Sequence, residues 1–174
     1  MTFAIRFEEE ALGWPMRDRL LAAVERLVAL ESYERIVGSV RALRPEQVNV
    51  FEDVVRYLER VVDRRFPFGR IILPPRTGKT VIAGQIIRAA QLVTVYLVPT
   101  IELVEQTAKE LEDQLPGTLI ALHYGETKEL TAHGVIVMTY HILERYWNAG
   151  ALPEDIRRAA LIVADEAHRS MTAA

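Results

Sequence analysis

A chain of 174 residues, half of them hydrophobic, can build one sizeable core with an appendage, and its lack of cysteine excludes disulfides and thiolate metal sites. Its 21 basic and 24 acidic side chains leave a net charge of −3, so the whole-molecule field does not draw in a polyanion and any nucleic-acid contact is local. The longest apolar runs fall far short of the roughly 20 residues of a membrane helix, and the first ten residues carry acids where a secretory leader carries positive charge. No membrane association is expected, and a reducing cytoplasm is the expected setting.

Pro15 sits where a helix can open, and Leu20, Leu21, Val24, Leu27, Val28 and Leu30 recur at helical spacing among charged residues. The pattern predicts an amphipathic helix, with a second over about 33–43. Residues 1–42 are therefore read as an N-terminal helical extension, serving as a packing appendage or a partner-binding element. Leu43-Arg44-Pro45-Glu46-Gln47 interrupts it, because proline disfavours helix in the residue before it and can start a new one. A helix over about 46–62 follows, with Val50, Phe51, Val54, Val55 and Leu58 as its apolar stripe.

From residue 70 the pattern alternates strand and helix. Ile71-Ile72-Leu73 reads as a short buried strand, 78–91 as a helix with Val81, Ile82, Ile86 and Ile87 inward, and 93–98 as the next strand. Thr100 caps a helix to about residue 115, with Leu103, Val104, Thr107 and Leu111 inward, and Pro116-Gly117 ends it. Strands are expected over 118–123, 135–139 and 161–164, with a helix to about Trp147 after the second of these. His123, Tyr124, Gly125 and Lys128 are read as a loop, either a surface turn or a nucleic-acid contact, and Trp14 and Trp147 as packing residues. Continuous apolar strands alternating with helices imply an α/β fold, a parallel sheet covered on both faces.

Two tetrads carry chemistry. Thr77-Gly78-Lys79-Thr80 stands between a strand and a helix, where backbone N–H groups and the helix dipole converge on one point, an arrangement that suits a phosphate chain. Gly78 lets the backbone approach, Lys79 reaches the β and γ phosphates of ATP, and Thr80 ligates Mg²⁺ through its hydroxyl. The loop departs from the usual phosphate-loop formula: Leu73 stands where the first glycine is expected, and Pro74-Pro75-Arg76 fills the interval. Prolines donate no N–H, so the cradle runs from Arg76 to Thr80, and the Arg76 side chain either strains the turn or adds a cation beside the phosphates.

Asp165-Glu166-Ala167-His168 ends the last apolar strand, which exposes both acids at the carboxyl edge of the sheet, the ligand-binding side of open α/β sheets. Asp165 is expected to hold Mg²⁺, and Glu166 to orient and deprotonate the attacking water. An Asp-Glu pair alone is often a solvated turn; the preceding phosphate loop gives it a partner.

In this order the motifs resemble the first RecA-like domain of a superfamily 2 helicase or translocase of the DEAD/DEAH-like group, over about 43–170. The resemblance implies a RecA-like ATP-binding domain over 43–174 with ATP and Mg²⁺ as ligands. It implies that Gln47 reads the adenine edge, which physically is the two-point amide contact with N6 and N7. It implies that Pro99 and Thr100, in the Val98 to Gln106 segment, and Thr139, in Val137-Met138-Thr139-Tyr140, meet a nucleic-acid backbone, and that His168 couples the nucleotide site to that surface. Nucleic acid is the implied partner, with DNA favoured over RNA, bound in a salt-sensitive and sequence-tolerant way.

The family's engine also has a second RecA-like domain that brings arginine fingers to the γ-phosphate, and a Ser-Ala-Thr motif with a strand inside the first domain's sheet. Neither is found after His168, and an unfilled interior slot would leave backbone groups unpaired. The chain is therefore expected to be a fragment of a longer protein. Arginine fingers contribute roughly 10³ to 10⁵ in rate in GTPases, so slow hydrolysis is expected of it alone. Two alternatives stay open: the motor of a restriction or remodelling enzyme that moves along duplex DNA, and a non-catalytic nucleotide- or nucleic-acid-binding module.

Overall fold

The computed structural model describes residues 2–5, 47, 49–50, 53, 68–72 and 77–166. Within them run β1 (Thr2–Ile5), β2 (Phe68–Arg70), α1 (Lys79–Ala90), β3 (Thr94–Val98), α2 (Ile101–Gln114), β4 (Ile120–Tyr124), β5 (Thr127–Lys128), β6 (Val135–Thr139), α3 (Tyr140–Asn148), α4 (Glu154–Arg157) and β7 (Leu161–Ala164). Gln47, Asn49, Val50 and Asp53 are helical, as the pattern over 46–62 predicts at those four positions. The predicted helices of the first 42 residues lie outside the described residues.

One sheet collects the seven strands in the order β2-β1-β7-β3-β6-β4-β5. Its centre is parallel: β7, β3, β6 and β4 are joined by parallel ladders, with Tyr96 opposite both Val137 and Val163. β3 and β6 are buried at every position rather than at alternate ones, as expected of strands covered on both faces. Tyr96, Val98, Val135, Val137, Leu161 and Val163 pack on one face with α1 and α2 residues such as Ile82, Ile86, Val104 and Leu111. Val95, Leu97, Ile136 and Met138 pack on the other with Ile142 of α3 and Ile156 of α4. The fold is thus a mixed α/β sandwich of the RecA-like kind, with the core divided by the sheet.

Helix ends follow local chemistry. Thr100 has extended backbone angles and its hydroxyl accepts from the Leu103 N–H at 3.4 Å, the side-chain cap expected for α2. Gly78 begins α1 in the left-handed region at φ 78°, where an L side chain is disfavoured.

Four sequence expectations are corrected. Thr2–Ile5 lies within the stretch read as a helical extension, yet it is a strand that pairs antiparallel with β2 on one side and β7 on the other. It occupies an interior position, so no gap is left between the strand before the phosphate loop and the strand before the acids. The strand expected at Ile71-Ile72-Leu73 is found earlier, with its ladder to β1 ending at the Thr2–Arg70 pair; Ile71 is buried and Ile72 is 77% exposed, both outside the strand, and Leu73 lies outside the described residues. His123 is no loop residue: it sits buried in β4, with Nε2 2.8 Å from the Tyr146 hydroxyl and Nδ1 3.1 Å from the Glu129 carbonyl oxygen. Trp147 is 70% exposed rather than packed, at the mouth of a groove of about 360 Å³ floored by Val95 and Ile162. That groove lies on the α3 and α4 side of the sheet, opposite Lys79.

Candidate active site

Strand direction places the site. β2 and β7 each run antiparallel to β1 and therefore parallel to one another, so the chain leaves both at the same edge as β3 and β6. At that edge stand the start of α1, the Asp165-Glu166 pair and the starts of α2 and α3. The shared edge was legible in the alternation of elements, although β1 as the bridge across it was not.

α1 opens with Lys79 and Thr80, and Gly78 accepts from the N–H groups of Val81 at 3.0 Å and Ile82 at 3.3 Å. Its first turn contains no acid, which leaves the positive end of its dipole uncompensated from within the helix. A Cβ on Gly78 would collide with Gln47 Nε2, so glycine serves here both for its φ and for the close approach of a neighbour.

Gln47 is 3% exposed, and its amide nitrogen donates to the Thr77 carbonyl at 2.7 Å, with Gly78 O at 3.4 Å. The residue expected to read adenine thus braces the backbone of the phosphate loop from behind.

On the facing strand, the Asp165 N–H donates to Leu97 O at 2.9 Å, extending the β7 to β3 ladder by one residue. That keeps Asp165 on the α1 face, in step with Leu161 and Val163. Its Oδ1 accepts the Glu166 N–H at 3.0 Å, and the chain then turns through Glu166 at φ 51°. A non-glycine residue in that region costs on the order of 1–3 kcal/mol and is concentrated at functional sites. The turn brings Glu166 Oε1 to 3.5 Å from Lys79 Nζ, with both side chains partly exposed at 19% and 30%. Two tetrads far apart in sequence therefore share one site.

Two tyrosines that the sequence reading did not single out complete it. The Tyr140 hydroxyl donates to the Asp165 carbonyl at 2.8 Å; burial, then the charges of Asp165 and Glu166, push its pKa well above the ordinary tyrosine value. Tyr96 is fully buried in β3, and among the described residues its hydroxyl has no hydrogen-bond partner. Burial raises its pKa most, and the Asp165 charge adds to this, while the Thr80 hydroxyl approaches near enough to act in the opposite sense without completing a hydrogen bond of good geometry. The available signal was a single hydroxyl-bearing ring in the otherwise aliphatic run Val95-Tyr96-Leu97-Val98.

Of the residues expected at a nucleic-acid surface, Thr100 has its side chain exposed, Pro99 is half-buried, and Thr139 is 5% exposed at the start of α3. Val98 pairs with Thr139, which sets the two helix starts side by side. Arg76 and His168 lie outside the described residues. Among the described residues no group of three His, Cys, Asp or Glu could enclose a metal. A magnesium ion held by one hydroxyl and one carboxylate needs no such enclosure, because substrate phosphates and water supply its other ligands. Thr80 and Asp165, both of which act on the buried Tyr96 hydroxyl, fit that kind of site. No helix among the described residues is long and apolar enough to cross a membrane.

A helix start of the kind that suits a phosphate, set beside a paired acid at the edge of a parallel sheet, is the arrangement of a RecA-like domain. The family described as type III restriction enzyme, res subunit, matches residues 41–174, and the chain belongs to it: a superfamily 2 helicase-like RecA-fold ATPase domain. No curated protein matches the chain.

Proposed function

We propose that the chain is the ATP-binding and hydrolysing motor domain of a nucleic-acid translocase of the restriction type, with 43–174 as the RecA-like unit. The observation that carries the reading is the 3.5 Å approach of Lys79 to Glu166 at the edge where Thr80 and Asp165 also stand.

Lys79, released from its ion pair, binds the β and γ phosphates and offsets their charge, and the N–H groups at the start of α1 orient them. Glu166 then faces the γ-phosphate, orients a water in line and takes its proton. Thr80 and Asp165 would hold Mg²⁺, which would offset negative charge on the phosphates. Gln47 keeps the loop in place and reads the adenine edge. His168 and Arg76 complete the set as coupling and phosphate-facing groups. Pro99, Thr100 and Thr139 meet the nucleic-acid backbone through the paired starts of α2 and α3, in a cytoplasmic setting, with a second RecA-like domain supplying arginine fingers.

The family match favours movement along duplex DNA over strand separation. Phosphate release in protein that includes the second domain, measured with duplex DNA, single-stranded DNA and RNA, tests both points. Stimulation by duplex DNA, abolished in Lys79→Ala and Glu166→Gln, is expected. Nucleotide binding with no phosphate release under any condition would instead mean a non-catalytic module.

A further inference from the structure

The strongest unexplained feature of the described core is the Tyr96 hydroxyl. It belongs to a side chain with no exposed surface, at the centre of the sheet, and among the described residues it has no hydrogen-bond partner of good geometry. Buried polar atoms are nearly always paired, so one left alone calls for a cause. Its position suggests the cause. Tyr96 pairs with Val163, two residues before Asp165, and the Asp165 N–H bond to Leu97 O keeps that acid on the same sheet face. α1 opens with Lys79 and Thr80 on that face, where its Ile82 and Ile86 pack, and the Thr80 hydroxyl and the Asp165 charge both act on the Tyr96 hydroxyl. Thr80 and Asp165 are therefore among its polar neighbours.

A threonine hydroxyl that ligates a cation gives its oxygen lone pair to the metal, and its own proton then needs an acceptor. Resting on the reading of Thr80 and Asp165 as the cation-holding pair, we propose that Tyr96 is the positioning residue of this site: its oxygen accepts the Thr80 hydroxyl proton while its own proton is donated to the Asp165 carboxylate. The phenol is both donor and acceptor, so one group links the two ligands. Asp165 Oδ1 already accepts the Glu166 N–H, and a carboxylate can accept more than one donor. An orphan before cation binding thus becomes a fully bonded bridge after it. Phenylalanine would fill the same space and leave that bridge unmade.

The test compares wild type with Tyr96→Phe, Thr80→Val and the double variant in the full chain. Magnesium is titrated against binding of a fluorescent ATP analogue, with binding in EDTA as the reference and thermal unfolding of the unliganded proteins recorded beside it. Tyr96→Phe is expected to raise the magnesium concentration at half-saturation about tenfold and leave binding in EDTA unchanged. It should not lower the unliganded melting temperature, because no bond is lost there. With Thr80 already replaced, the further effect of Tyr96→Phe should vanish. A magnesium dependence within twofold of wild type, effects that add independently in the double variant, or a lowered unliganded melting temperature would each overturn the assignment. Wild-type protein that binds the analogue with no magnesium dependence would instead remove the reading of Thr80 and Asp165 on which it rests.

Discussion

Lys79 Nζ and Glu166 Oε1 stand 3.5 Å apart although one opens α1 and the other follows β7. The contact holds the cation proposed to bind phosphate against the acid proposed to orient water, and on that reading a triphosphate entering between them exchanges one anionic partner of Lys79 for another. Lys79→Ala is therefore expected to weaken binding of a fluorescent ATP analogue by about 10 to 100-fold, the scale of a lost charge-assisted bond. Glu166→Gln frees the lysine and keeps the site's shape, so binding should hold or tighten while phosphate release falls on the order of 10² to 10⁴-fold. Parallel binding and phosphate-release assays separate the two.

Gly78 combines φ 78° with a neighbour that leaves no room for a Cβ. Gly78→Ala is expected to destabilise the fold by about 1–2 kcal/mol from backbone conformation alone and to push the Gln47 amide off the Thr77 carbonyl. Gln47→Ala should loosen the same loop without the backbone cost. Both variants are expected to weaken nucleotide binding, and only Gly78→Ala should shift the urea midpoint by the backbone term.

β1 joins the two halves of the site, because Ala4 pairs with Phe68 on one side and Ile162 on the other. Proline at an interior strand position removes a ladder donor. Ala4→Pro should lower the melting temperature by about 2–4 °C for each kcal/mol lost in a domain of this size, and nucleotide binding should fall with it. Unchanged melting and binding would show that β2 and β7 hold their places without β1.

His123 predicts a pH dependence. Burial lowers its pKa from 6.5 most strongly, the nearby Lys128 charge acts in the same direction, and the bond to the Glu129 carbonyl opposes them. The folded value is therefore below the unfolded one, and between the two the unfolded chain binds more protons. The stability that neutral His123 contributes is complete above about pH 6.5 and is lost as pH falls through the lower folded value. Urea midpoints between pH 5 and 7.5 should fall toward acid with a steeper slope in wild type than in His123→Gln.

What could be read locally was read well. Val135–Thr139 and Leu161–Ala164 fall where continuous apolar runs predict them, and Thr100 caps α2 through its own hydroxyl. Such features depend on a few neighbouring residues, and so does the chemistry of Gly78, Lys79, Thr80, Asp165 and Glu166. The strand at Thr2–Ile5 and the burial of His123 could not be read that way, since each depends on partners far away in the chain.

By itself, the sequence determined the repeating strand and helix pattern, the continuous apolar strands of a sheet buried on both faces, and the residue types able to bind phosphate and a divalent cation. Backbone periodicity and side-chain chemistry are local properties, so they survive without knowledge of the fold. Only the tertiary structure decided that β1 enters between β2 and β7, that Gln47 contacts the phosphate loop, and that the Tyr96 hydroxyl is buried where Thr80 and Asp165 act on it, with no hydrogen bond of good geometry among the described residues. Those outcomes come from strand order and from helix packing across the sheet, where contacts between distant segments compete and no short stretch of residues specifies the winner.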